Sequence, residues 1–167
     1  MDVFAPAQWA GYAAFGLGIA AFLQTSDVRL KLLNAAETVA YTVHFAMLGN
    51  PAAAASAFIS CGRSLLAIRY RSTVLAFVFV ALNVAVGARM TTGWASWLPV
   101  AGASLSTVAV FLLQGVPMRL TILAATLLWL ANNILSGSIG GTVLELLIAL
   151  ANTSTIVRMS LTGARRG

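Results

Sequence analysis

Charge is what this sequence has least of. Ten Lys or Arg and four Asp or Glu make up 8% of the 167 residues, against about 25% in ordinary soluble domains. So few charges cannot cover a water-facing surface, which excludes a soluble globular protein. A single cysteine, Cys61, excludes an internal disulfide and any multi-cysteine metal site. One histidine, His44, excludes a paired-histidine zinc motif, so no metal is expected. No G-x-x-x-x-G-K phosphate loop occurs, so no ATP-driven module and no bound cofactor are expected. The net charge of +6 comes from basic residues scattered singly between apolar runs. Without a basic stripe it offers nucleic acid no footprint. The start, "MDVFAPAQWAG", lacks the Lys or Arg of a signal-peptide n-region, so the first apolar run is expected to be a retained helix.

What is present is apolar: 60% of the residues are hydrophobic and the mean hydropathy is +0.92. Seven apolar runs stand at 7–23, 30–48, 51–68, 73–88, 95–113, 118–135 and 141–159. In lipid each must satisfy its own backbone, so each is read as a membrane helix. The breaks carry turn chemistry. "GNP" puts Asn50 at an N-cap and Pro51 at the first helical position. "SGSIGG" at 136–141 is a tight turn, and "QGVP" at 114–117 ends one helix and begins the next.

Seven spans put the termini on opposite sides. Arg29, Lys31, Arg69, Arg71, Arg119, Arg158, Arg165 and Arg166 fall on one side and Arg89 on the other. That asymmetry places the N-terminus outside and the C-terminus in the cytoplasm. Trp9, Trp94 and Trp97 then share the outer interface as an aromatic belt.

The chain also resembles itself. At an offset of 90, "FLQTSDVRLKLL" (22–33) lies over "LLQGVPMRLTIL" (112–123), matching Gln24 to Gln114 and Arg29 to Arg119. At an offset of 89, His44 meets Asn133, Ser56 meets Glu145, Arg63 meets Asn152 and Arg69 meets Arg158. The expected fold is therefore an all-α membrane protein of seven transmembrane helices. Two parallel three-helix repeats, 1–70 and 94–167, are joined by a linker helix in 71–93. That plan is the one of SWEET transporters, whose sites lie between repeats near mid-membrane.

"VHFAMLGNPAAAASAFISCGRSL" (43–65) and "GSIGGTVLELLIALAN" (137–152) resemble the YgjV family of small bacterial inner membrane proteins. The likeness runs through nearly the whole chain. It implies a bacterial inner-membrane location and a three-plus-one-plus-three plan similar to the SWEET and PQ-loop class. It implies no assigned activity. The class's proline–glutamine pair is degenerate here: neither Gln24 nor Gln114 follows a proline.

Ionisable residues inside a membrane are candidate functional sites. Four occur: Glu37, His44, Arg63 and Glu145. Glu37 and Arg63 are placed at one depth on neighbouring antiparallel helices and are expected to pair. That pair either serves a polar pathway or only locks packing. His44 is read either as a packing residue or as a proton carrier. Glu145, just after "GSIGGT", is either a pathway residue or a charge favoured at a helix N-terminus. Asn133 and Asn152 are either pathway donors or interhelical hydrogen-bonding residues. Trp129 is expected in the core, and Gly16 and Gly18 at close helix contacts.

The expected function is transport of a small polar metabolite by rocking of two three-helix bundles. Glu37, His44, Arg63, Asn133, Glu145 and Asn152 would line the path, with Arg63 receiving a carboxylate or other anion. The alternative is a non-transporting membrane receptor or interaction subunit. No catalytic constellation points to an enzyme. Partners are expected to be the lipid bilayer and an unidentified small molecule, and a homo-oligomer is allowed but not required.

Overall fold

A computed structural model describes residues 4–22, 27–113 and 115–164. The described chain is all-helical. Its helices are α1 (Pro6–Phe22), α2 (Asp27–Met47), α3 (Pro51–Leu66), α4 (Thr73–Met90), α5 (Trp97–Leu112), α6 (Gly115–Ser136) and α7 (Ile139–Ala164). A single 3-10 turn, Trp94–Ser96, leads into α5. Gln24, Gln114, Arg165 and Arg166 lie outside the described residues.

The seven expected helices are all present, with ends moved by a few residues. Four segments are both long and apolar enough to cross a membrane: Thr73–Met90, Trp94–Leu112, Val116–Ser136 and Ile139–Met159. The other three fall short for physical reasons. α1 and α3 have only 17 and 16 residues, against about 20 for a full span. α2 carries Asp27, Arg29, Lys31 and Glu37.

Local chemistry explains the breaks. The Asn50 side chain accepts the Ala53 N–H at 3.0 Å, and Pro51 opens α3 behind it. Ser72 caps α4 by accepting from Leu75 at 3.4 Å. Gly49 and Gly137 take φ of 71° and 72° at the α2–α3 and α6–α7 turns, where a side chain would be strained.

The helices form a ring. α1 packs on α2, α2 on α3, α3 on α5, α5 on α6, α6 on α7, and α7 closes back on α1. α4 stands apart, touching α3 and α5. Its burial fits: Ala76, Phe79, Asn83 and Gly87 form one stripe at helical spacing, while Val74, Phe77, Val78 and Leu82 are exposed. Asn83, the one polar residue noted on α4's face, turns inward and donates to Val100 O at 2.8 Å and Ser104 Oγ at 3.0 Å on α5. Gly87 lets Val100 approach, since a Cβ there would meet it at 2.6 Å.

The Arg29, Arg69, Arg71 and Arg158 positions fall at the end holding the C-termini of α1, α3, α5 and α7, and these four are exposed. Arg119 is at the same end, half-buried. Trp9, Trp94 and Trp97 are exposed at the opposite end.

Candidate functional site

Small and β-unbranched residues on facing helices set how closely the ring closes. Gly18 of α1 has no room for a side chain: a Cβ would meet Leu144 at 2.7 Å and Glu37 Oε1 at 3.2 Å. Gly16 faces open space, so only one of the two expected contact glycines is one. At the other end Gly140 brings α7 onto the α1 backbone, where a Cβ would meet Gly11 O at 2.7 Å.

Between these contacts lies a cavity of about 250 Å³. Its wall draws on α1, α2, α3, α5, α6 and α7, and nothing from α4. α2 supplies Asn34, Glu37, Thr38 and Tyr41, a polar face at helical spacing. α3 supplies Ser60 and Arg63, and α7 supplies Glu145. Thr126 and Trp129 close it from α6. The lining runs from Ala21 near the C-terminus of α1 to Trp129 in the second half of α6 and Glu145 in the first half of α7, so the cavity spans the middle of the bundle.

The charged groups there are buried: Glu37 is 7% exposed, Arg63 8% and Glu145 7%. Among the described residues the expected Glu37–Arg63 ion pair is not formed. The Glu37 carboxylate instead accepts from Asn34 Nδ2 at 2.9 Å, one turn earlier on the same helix. Asn34 is held in turn by the Ser64 hydroxyl, which donates to its Oδ1 at 2.9 Å. Arg63 points across to α5, where one guanidinium N–H reaches Thr107 Oγ1 at 3.4 Å. Thr107 is itself fixed by donating to Ala103 O at 2.7 Å. The Tyr41 hydroxyl is buried with no hydrogen-bond partner. The Tyr41 ring stacks on Phe45 at 5.4 Å, and Phe45 lies 5.8 Å from Trp129.

The opposite end of the ring is tied shut. His44, fully buried, contacts Ala7 O through Nδ1 at 2.6 Å and Ser138 Oγ through Nε2 at 2.7 Å. Gln8 donates to Gly137 O at 2.8 Å and accepts from Ile139 N at 3.2 Å. Asn50 donates to Asn132 Oδ1 at 2.9 Å and Ser136 Oγ at 2.8 Å. These bonds join α1–α3 to α6 and α7.

Six residues were singled out from the sequence. Glu37, Arg63 and Glu145 line the cavity. His44 belongs to the closed end, and its ring leaves no space at Gly11, where a Cβ would meet it at 2.8 Å. Asn133 donates to Trp129 O at 2.9 Å and packs against Gly141. Asn152 donates to Arg119 O at 2.8 Å, tying α7 to the start of α6. These last three are outside the cavity wall. The sequence reading missed Asn34, Tyr41 and Thr126. Asn34 and Tyr41 were legible as the i−3 and i+4 neighbours of Glu37, and Thr126 as the position onto which the offset of 89 carries Glu37. No group of three or more His, Cys, Asp or Glu suited to a metal occurs among the described residues.

A family model for bacterial inner membrane proteins of the Imp-YgjV type matches residues 5–162. Inner membrane protein YgjV of Escherichia coli (strain K12) is 34% identical over 158 residues, covering 95% of this chain and 86% of that protein. No solved structure gives a significant match. The match runs through every helix of the ring and through the residues of both its ends, so the chain belongs to the YgjV family of bacterial inner membrane proteins.

Proposed function

We propose that the protein transports a small polar metabolite by alternating access between two three-helix halves, α1–α3 and α5–α7, with α4 as linker. One observation carries this reading. A cavity whose largely apolar wall carries Glu37, Arg63 and Glu145 is lined by all six helices of the two halves and by none of the linker, while hydrogen bonds tie the two halves together at the far end of the same seam. A site between two halves that are bonded to each other at one end is the arrangement an alternating-access cycle needs.

Two observations support a repeat. Each half packs in the same sequential order, α1–α2–α3 and α5–α6–α7. The offset of 89 carries Glu37 onto Thr126, both in the cavity wall, and His44 onto Asn133, both buried toward the closed end. All seven helices then cross the bilayer in a SWEET-like arrangement, N-terminus outside and C-terminus in the cytoplasm, as the basic end requires.

Arg63 is the anion-receiving group of the pathway. The test is flux of labelled metabolites into proteoliposomes of purified protein. Saturable uptake that Arg63→Gln abolishes, with the variant still folded, is the expected result. A protein that binds a metabolite but moves none of any class is a receptor, and the transport reading then fails.

A further inference from the structure

The cavity holds three ionisable groups, and the protein matches none of them with an opposite charge. Of the five N–H donors of the Arg63 guanidinium, one makes a long bond of 3.4 Å to neutral Thr107. Glu37 uses Oε2 toward Asn34 and leaves Oε1 beside Gly18 without a donor. Neither oxygen of Glu145 has a hydrogen-bond donor among the described residues, although the residue is 7% exposed. Glu37 and Glu145 lie near enough to act on each other electrostatically, and both act on Tyr41. The two carboxylates share the cavity lining with a buried Tyr41 hydroxyl that has no partner of its own. A buried polar atom left without a partner is destabilising, and a buried charge more so. A ligand that supplies the missing partners relieves all of these at once.

Resting on the transport reading above, we propose that the cavity is a zwitterion site for an α-amino acid or a close analogue. Glu37, Glu145 and the Tyr41 hydroxyl receive its ammonium group, and Arg63 receives its carboxylate. A neutral sugar leaves all three charges unmatched, an organic anion matches only Arg63, and a simple amine matches only the carboxylates. Size agrees. A water occupies about 30 Å³ of liquid, so 250 Å³ has room for a molecule of roughly eight such groups. Phe45-backed Tyr41 and Trp129 give its side chain an apolar wall. The ammonium bridges Glu37 of the first half and Glu145 of the second, so occupancy bears on both moving parts.

The test uses the purified full chain in lipid nanodiscs. Binding of the twenty common amino acids, glucose and glycerol is measured by calorimetry. For the tightest amino acid, the deaminated acid and the decarboxylated amine are then compared. The expected result is that each single-charge analogue binds at least tenfold more weakly than the amino acid. In Glu145→Gln the preference over the deaminated acid shrinks at least fivefold, and in Arg63→Gln the preference over the amine shrinks likewise. These ratios are taken within one protein, so a partly folded preparation does not disturb them. Equal binding of an amino acid and its single-charge analogue, preferential binding of glucose, or no binding by any amino acid overturns the zwitterion site. Amino acid binding without flux in proteoliposomes leaves that site standing and overturns the transport reading instead. Flux of a sugar alone does the reverse.

Discussion

The two ends of the helical ring use polar residues in opposite ways. At the closed end Gln8, His44 and Asn50 use both polar ends of their side chains, each with at least one partner across the seam and the rest within the first half. At the cavity end Glu37, Arg63, Glu145 and Tyr41 are as deeply buried but under-bonded. Interhelical hydrogen bonds hold membrane helices together where apolar contact gives no drive relative to lipid. Under-bonded charges do the reverse, and they persist only where something else selects them. The two ends thus differ in how their ionisable groups are bonded: His44 has a partner at each ring nitrogen, whereas Glu37, Arg63 and Glu145 do not fill their hydrogen-bonding capacity.

That contrast can be broken by substitution, and the largest effect is expected at the closed end. Gly141→Val drives a side chain into Asn133 Oδ1 and Ser138 Oγ, neither of which can retreat. It should cost about 3 kcal/mol or more, read as loss of monodisperse protein on gel filtration in detergent. His44→Ala empties a fully buried site and removes the ring contacts to Ser138 Oγ and Ala7 O. A loss of about 2–3 kcal/mol is expected from the cavity and the bonds together, measured by thermal unfolding in detergent. A neutral His44→Ala variant would remove the closed end as a stabilising element.

Cavity-end changes should separate stability from activity. Arg63→Gln removes a buried charge with no ionic partner, so stability should hold or rise while uptake into proteoliposomes is lost. Tyr41→Phe removes an unbonded buried hydroxyl and should change stability by about 0–1 kcal/mol in the favourable direction. The smallest effect sharpens the contrast between neighbouring glycines. Gly16→Ala meets open space and should stabilise by about 0.5–1 kcal/mol through helix propensity. Gly18→Ala, against Leu144 at 2.7 Å, should destabilise.

Much of the fold was legible in the sequence because lipid leaves an apolar run one way to satisfy its backbone. The seven helices, the Asn50–Pro51 start of α3 and the glycine turn at 137 follow from that rule and from turn chemistry. The depth of Glu37 and Arg63 was legible too, since helical rise fixes it. Their pairing was not. Depth says nothing about azimuth, and Asn34, one turn from Glu37 and steadied by Ser64, competes for the same carboxylate. Nor could His44 be assigned to the closed end. Its partners, Ala7 O and Ser138, are a backbone carbonyl and a common hydroxyl that carry no pattern.

The sequence alone determined that this chain is a helical membrane protein with Glu37, His44, Arg63 and Glu145 set inside its apolar runs. Composition decides that, because transfer of charge and of unpaired backbone into hydrocarbon is too costly to allow anything else. Tertiary structure alone decided which of those four face a common space. Glu37, Arg63 and Glu145 come from three helices, and their meeting depends on how each helix is rotated about its axis. That rotation is set by close contacts such as Gly18 with Leu144 and Gly140 with the Gly11 carbonyl. Such contacts are made between residues more than a hundred positions apart, and no local pattern encodes them.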